Sequence, residues 1–222
     1  MIRIGQFDAI IFDMDGLLVD TEPVWEEAET AMLSSYNVEM DSSVRMELVG
    51  LRNDVFLDKL KTLYNIPASL DLLQEDIIGR MLKLIPLKAK PMPGALEIIR
   101  YAVDNGIPTA IASSSPGAII EAVVSHQGWA KDIPVRCSAE HLIAGKPEPY
   151  VYLEAAKALG VNPANCLALE DSPNGARAAV AAGMTCYAVP DLSHSRIEAF
   201  QGVTDNLFDS LHKVLERLNE TV

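Results

Sequence analysis

The sequence predicts an α/β protein in which a parallel-sheet core is interrupted, near its start, by an all-helical insert. Three observations predict this. After Pro91–Gly94, short β-rich apolar runs alternate with amphipathic helical stretches, the pattern of a parallel sheet covered on both faces. One more apolar run, FDAIIFD (Phe7–Asp13), stands alone at the front and fits the same pattern. Between them, from about Glu22 to Lys90, apolar residues recur at three- and four-residue spacings with no convincing strand, as in a set of packed helices.

Each element has its own justification. FDAIIFDMDG is an apolar run closed by acidic residues and a glycine, a buried strand that ends in a turn. PVWEEAETAMLSSY, DSSVRMELVG, NDVFLDKLKTLY and LDLLQEDIIGRMLKLI each carry one apolar stripe and read as helices. From there the order is ALEIIRYAVDNG (helix), IPTAIAS (strand), PGAIIEAVVSHQG (helix) and PVRCSA (short strand). PYVYLEAAKALG (helix), CLALED (strand), NGARAAVAAG (helix), TCYAVPD (strand) and NLFDSLHKVLERL (helix) complete it. The first strand belongs with the later ones, so the expected organisation is a core of residues 1–20 and 89–222 with an insert of residues 21–88. No repeat, low-complexity tract or heptad pattern interrupts this reading.

Composition narrows the function. At 222 residues and 49% hydrophobic, the chain can build a core, and it lacks the low hydrophobicity of disorder. The apolar runs fall far short of a membrane span of about 18 residues, and the start lacks a charged lead and cleavage site. Cys137, Cys166 and Cys186 are few, odd in number and not paired as metal ligands, so reduced thiols in a cytoplasmic protein are expected. A formal charge of −13 argues against nucleic acid and anionic membrane as partners. It would also repel an anionic substrate, so a site for one needs local cations, and a divalent metal is the obvious source.

In open parallel sheets, ligands bind beyond the carboxyl ends of the strands. The sequence places there Asp13 and Asp15 after the first strand, Ser113 after IPTAIAS, Lys146 in GKPEP, and Glu170 and Asp171 after CLALED. Taken singly, these are a turn, a helix cap, a solvated loop cation and a strand end. Together they are harder to dismiss, because carboxylates gathered on one edge repel each other unless a cation joins them. Mg²⁺ takes hard oxygen ligands, usually one or two carboxylates and a substrate phosphate. Asp13 and Asp171 suit that role. A carboxylate can also attack phosphorus, with a second one exchanging the proton. Ser113 and Lys146 can hold the phosphoryl oxygens.

With these residues in hand, the sequence resembles the haloacid dehalogenase superfamily, in its phosphatase branch with a helical cap. DMDGLLVDTE (Asp13–Glu22), IPTAIASSS with Ser113, GKPEP with Lys146 and LALEDSPNG with Glu170 and Asp171 carry the likeness over nearly the whole chain. The resemblance implies a Rossmann-like core. It makes Asp13 the nucleophile and a Mg²⁺ ligand, and Asp15 the acid/base that also binds metal through its carbonyl. It assigns Asp171 as a further ligand, Glu170 as support for the metal site, and Asn174 to its surroundings. Ser113, Ser114 and Lys146 would bind phosphate. The insert would be a mobile cap, and its stretch VGLRNDV (Val49–Val55) would put Arg52 and Asn53 on the substrate.

The motifs look most like those of sugar phosphatases acting on hexose or 2-deoxy sugar phosphates. Phosphatases of nucleoside-type monophosphates, including pseudouridine monophosphate, are similar. A β-phosphoglucomutase-type enzyme is the nearest rival. It has a cap histidine where this chain has Trp25, and a different run where this chain has Ser115-Pro116-Gly117. A metal-free dehalogenase lacks the second aspartate, and a receiver-like signalling domain lacks the insert. A small phosphorylated metabolite as partner and a monomer are expected. His126, His141, His194 and His212 are given no role, and Met14, Met32 and Met46 read as packing residues.

Overall fold

A computed structural model describes residues 7–48, 50–192 and 195–220; the readings that touch the Met46 side chain, Val49 and His194 lie outside the described residues. The chain begins with β1 (Ala9–Phe12) and a two-residue strand, β2 (Val19–Asp20). Four helices follow, α1 (Glu22–Ser34), α2 (Ser42–Leu48), α3 (Asn53–Leu63) and α4 (Leu70–Lys88). Next come β3 (Lys90–Pro91), α5 (Ala95–Asp104), β4 (Thr109–Ser113), α6 (Gly117–Gln127) and β5 (Val135–Ser138). Last are α7 (Tyr150–Leu159), β6 (Cys166–Glu170), α8 (Pro173–Ala181), β7 (Thr185–Ala188) and α9 (Leu211–Asn219). No helix among the described residues is long and apolar enough to cross a membrane.

The main sheet is five-stranded, in the order β5-β4-β1-β6-β7, and every pairing is parallel. The alternation of side chains along β1 explains why both faces are covered. Ile10 and Phe12 join the core beneath α5, α6 and α9, while Ala9 and Ile11 join the one beneath α7 and α8. The second face is rich in alanine (Ala9, Ala110, Ala112, Ala168) and meets Ala155, Ala156, Ala176 and Ala179 on the helices. Small residues on both sides bring those helices close to the sheet.

β1 sits at the centre, and the chain runs to β4 on one side and β6 on the other. That reversal opens a crevice at the carboxyl ends, where a doubly wound sheet binds its ligand. Phe12 lies level with Ile111 of β4 and Leu169 of β6. Hence the residues just past the three strands meet at one place.

Two features were not legible in the sequence. β2 and β3 pair antiparallel, Val19 with Pro91 and Asp20 with Lys90, so the chain leaves and re-enters the core through one short ribbon that brackets the four helices. The expected last helix over 206–218 starts later, at Leu211, with the Ser210 hydroxyl accepting from Lys213 N–H. The residues before it run extended instead, where Leu207 bridges Ala188 of β7.

Two glycines are demanded by close approach. Gly16 has φ +80°, and a Cβ there would overlap the Asp171 carboxylate. Gly175, in the first turn of α8, lies so near the Glu170 carboxylate that a Cβ would overlap it too. Gly175→Ala should therefore destabilise the fold by about 1–3 kcal/mol or more, because the neighbour that must move is a buried, fully bonded carboxylate. Urea unfolding measures this, and an unchanged midpoint would contradict it.

Candidate active site

Asp13 leaves the end of β1, and its backbone N–H donates to Leu169 O of β6. A tight turn follows, closed by Gly16 N–H to Val19 O and by Leu18 and Val19 N–H to Met14 O. The turn presents Asp13 and Asp15 to the same cavity. Lys146 arrives from the β5–α7 loop, buried, with Nζ 2.5 Å from Asp13 Oδ1 and 2.6 Å from Glu170 Oε1. Its ammonium also lies 5.1 Å from the centre of the Tyr152 ring. Burial pulls its pKa down, but Asp13 and Glu170 outweigh that and hold it above the ordinary lysine range. It is therefore a fixed positive charge.

The carboxylates feel the opposite balance. Burial pushes Asp13 up to about 8; Lys146 opposes the rise, and Glu170 and Asp15 add to it. Burial, together with repulsion from Asp13 and Glu170, holds Asp171 well above the usual carboxylate range. Ligand oxygens of Asp13, Glu170 and Asp171 all lie within 4.8 Å of one another. One lysine cannot neutralise three buried carboxylates, and the donors are all hard oxygens, so the set fits a divalent cation such as Mg²⁺.

The oxygens of Glu170 are already committed. Oε1 accepts from Lys146 and from Tyr152 OH at 2.7 Å. Oε2 accepts from the N–H groups of Asp171 and Ser172 and from the Ser172 hydroxyl. Glu170 is fully buried, and Asp13 and Asp171 are the members of the trio that line the cavity. A cation at this cluster would thus find Asp13 and Asp171 open to it, while Glu170 holds Lys146.

Asp15 is surrounded by donors from two directions. Ser113 Oγ, at the end of β4, and Ser115 Oγ, just beyond it, donate to Oδ2 at 3.1 and 2.8 Å. Thr21 Oγ1 and Trp25 Nε1, at the start of the helical insert, donate to Oδ1 at 2.6 and 3.3 Å. Ser114 lines the cavity beside them, as does Asn174 in the first turn of α8. The structure thus gathers Asp13, Asp15, Ser113, Ser114, Lys146, Glu170 and Asp171 at one place.

The cavity measures about 490 Å³ and is roofed by the insert through Glu22, Trp25, Glu29, Arg45, Leu48, Leu51, Asn53 and Phe56. Asn53 lines the cavity. Arg52 takes another direction: Nη1 donates to Leu142 O at 2.7 Å and Ala139 O at 3.4 Å, in the loop that leads to Lys146. Nε and Nη2 form a paired contact with Asp54. Its guanidinium fastens insert to core. Glu29 and Arg45, half the polar roof, went unmarked in the sequence; only their acidic and basic character within helical stretches was visible there.

A family profile described as haloacid dehalogenase-like hydrolase matches residues 7–183. The chain belongs to that family. It is 38% identical over 190 residues to hexitol phosphatase B of Escherichia coli (strain K12), covering 83% of this chain and 84% of that one. In three dimensions it matches CbbY from Rhodobacter sphaeroides in complex with phosphate, with TM-score 0.87, 27% identity, and 96% and 99% of the two chains covered. A mutant of that protein in complex with xylulose-(1,5)bisphosphate matches with TM-score 0.86 and 26% identity over the same shares. By family and relatives this hydrolase is an enzyme of the phosphoric monoester class.

If Arg52 acts as a fastener, Arg52→Ala should lower kcat/KM by a similar factor, roughly tenfold, for every phosphate ester tested. A loss confined to one ester would instead mark a substrate contact.

Proposed function

We propose that this hydrolase, with Mg²⁺ bound, removes phosphate from a phosphorylated polyol or sugar, such as a hexitol phosphate, a hexose 6-phosphate or a 2-deoxy sugar phosphate, through a phosphorylated Asp13. The observation that carries the reading is Asp13 itself: a buried carboxylate with one oxygen on Lys146, facing a cavity that Asp15, Ser114 and Ser115 share. The hexitol phosphatase relative supports the substrate class.

The chemistry follows from where each group stands. The second carboxylate oxygen of Asp13 attacks phosphorus while the bond from phosphorus to the substrate oxygen breaks. Asp15 gives its proton to the departing alkoxide, which leaves as an alcohol. Water then attacks the phosphorus of the acyl phosphate, giving a proton to Asp15; phosphate departs and Asp13 is restored. Ser113, Ser114 and Lys146 hold the phosphoryl oxygens through this sequence. Mg²⁺, held by Asp13 and Asp171, would supply positive charge to the transferring group. Trp25 stands where the related mutases have a histidine, and its indole N–H can only donate to Asp15, which supports transfer to water.

Two outcomes test this. Asp13→Asn should abolish phosphate release from a hexitol phosphate, with a loss of at least about 10³-fold in kcat. Near-wild-type turnover by that variant would end the phospho-aspartate reading.

The second outcome concerns pH. A carboxyl whose pKa is raised in the folded state makes burial of its charged form costly. Without metal, stability should therefore fall as pH rises from about 4, the unfolded value, toward the 8 of Asp13. Metal needs the deprotonated carboxylates, so Mg²⁺ should raise Tm more at pH 8 than at pH 5, and Asp171→Asn should remove most of that gain. An equal gain at both pH values would contradict the assignment of these ligands.

A further inference from the structure

The roof of the cavity carries polar groups whose hydrogen-bonding capacity is unspent. Glu29, on α1, has a side chain only 6% exposed and lines the cavity. Its Oε2 accepts from Arg45 Nε at 2.9 Å, whereas Oε1 has no partner among the described residues. Burial pushes this carboxyl up to about 7, with Arg45 opposing the rise. Asn53, the first residue of α3, is 8% exposed and lines the same cavity. Its side-chain amide is likewise without a partner among the described residues. Both groups open onto the cavity, where a ligand hydroxyl can take up the bonding capacity that water otherwise fills.

The charge at this wall says what kind of ligand. Arg45 is its one cation among the described residues, and it is already met by two carboxylates: Nε is on Glu29, and Nη2 is 3.2 Å from Glu22 Oε2. A second phosphate arriving there would find an arginine already paired and an acidic surround. A neutral hydroxyl would find an acceptor in Glu29 and both donor and acceptor in Asn53. Leu48 and Phe56 line the cavity beside them and can pack on the C–H surface of a carbon chain. Arg177 and Arg196 reach the cavity from the core side, but both are exposed, where water and salt screen them.

We infer that Glu29 and Asn53, with Arg45 holding Glu29 in place, form a hydroxyl-binding subsite that selects phosphate monoesters of uncharged polyhydroxylated alcohols over bisphosphates. This rests on the phosphatase reading above and adds the feature that decides which phosphate ester is turned over. The subsite lies on the insert, so the same catalytic centre under a different roof would accept a different alcohol.

The test compares kcat/KM of the Mg²⁺-loaded enzyme for sorbitol 6-phosphate, fructose 1,6-bisphosphate and p-nitrophenyl phosphate. Wild type should favour sorbitol 6-phosphate over the bisphosphate by about tenfold or more. Asn53→Ala should lower the ratio of sorbitol 6-phosphate to p-nitrophenyl phosphate by roughly tenfold, since the aryl ester offers no hydroxyl to bind. Glu29→Gln, which keeps the shape and removes the charge, should raise the ratio of bisphosphate to sorbitol 6-phosphate. Ratios within one preparation cancel losses of folded enzyme, and the wild-type preference needs no variant. A wild type that prefers the bisphosphate, or ratios unmoved by both substitutions, overturns the inference while leaving the phosphatase standing. A wild type that releases phosphate from none of the three would bring down the phosphatase reading and this inference with it.

Discussion

A lysine ammonium buried between two carboxylates is the constraint on which the rest of this structure depends. Lys146 joins Asp13, at the end of the central strand, to Glu170, at the end of its neighbour. Burying the three charges is expensive, and removing one member would leave another without compensation. The surroundings are built accordingly. Tyr152, two backbone amides and the Ser172 hydroxyl fill the remaining acceptor sites of Glu170. α8 must start so close to that carboxylate that only glycine fits at position 175. The first turn must bring Asp15 round so tightly that only glycine fits beside Asp171 at position 16. Demands that look like separate features of sequence are consequences of one ion cluster.

The helical insert is tied into that cluster at two points. Thr21 and Trp25 reach Asp15 from one end of it, opposite the two serines of the core. Arg52 reaches the carbonyls of the loop that delivers Lys146. A movement of the insert would therefore be felt both at Asp15 and at the loop that carries Lys146. Closure over a substrate completes a site when the closing part carries some of its contacts, and here those contacts are identifiable side chains.

Most of the fold was legible because its signals are local. An apolar run bounded by acidic residues and glycine is visible in FDAIIFDMDG, and so is the helical spacing over 22–88. The edge that gathers the candidate residues could be read for the same reason: strand ends can be found from sequence, and Asp13, Ser113 and Glu170 fall at them. What escaped depends on approach in space. Nothing in a two-residue segment such as Val19–Asp20 announces a partner at Lys90–Pro91. Tyr152 looks like one more apolar position on α7 until its hydroxyl meets Glu170. Arg52 was placed on the substrate by resemblance, and it binds loop carbonyls because its neighbour Asp54 turns the guanidinium toward the core. Arg45 and Glu29 are sixteen residues apart on different helices, a pairing that no helical spacing encodes.

The overall acidity, at −13, bears on how an anionic substrate gains entry. Repulsion from the surface is screened within about 8–10 Å at cellular salt, so the decisive balance is local. Two helix starts of the core already have an N–H capped from within the protein: Glu140 accepts from Gly117 N–H at the start of α6, and Ser172 accepts from Gly175 N–H at the start of α8. Lys146 is shared between Asp13 and Glu170. Against it stand Asp13, Asp15 and Asp171, all facing the cavity, so once these carboxyls ionise a bare phosphate would meet more negative charge than positive. A divalent cation reverses that balance, and it also takes Asp13 and Asp171 out of the protonated form that burial favours. Entry of the phosphate and activation of the nucleophile then depend on the same ion. On the proposed reading, the alcohol end of the substrate would face no such requirement, because the roof offers hydrogen bonds in place of free charge.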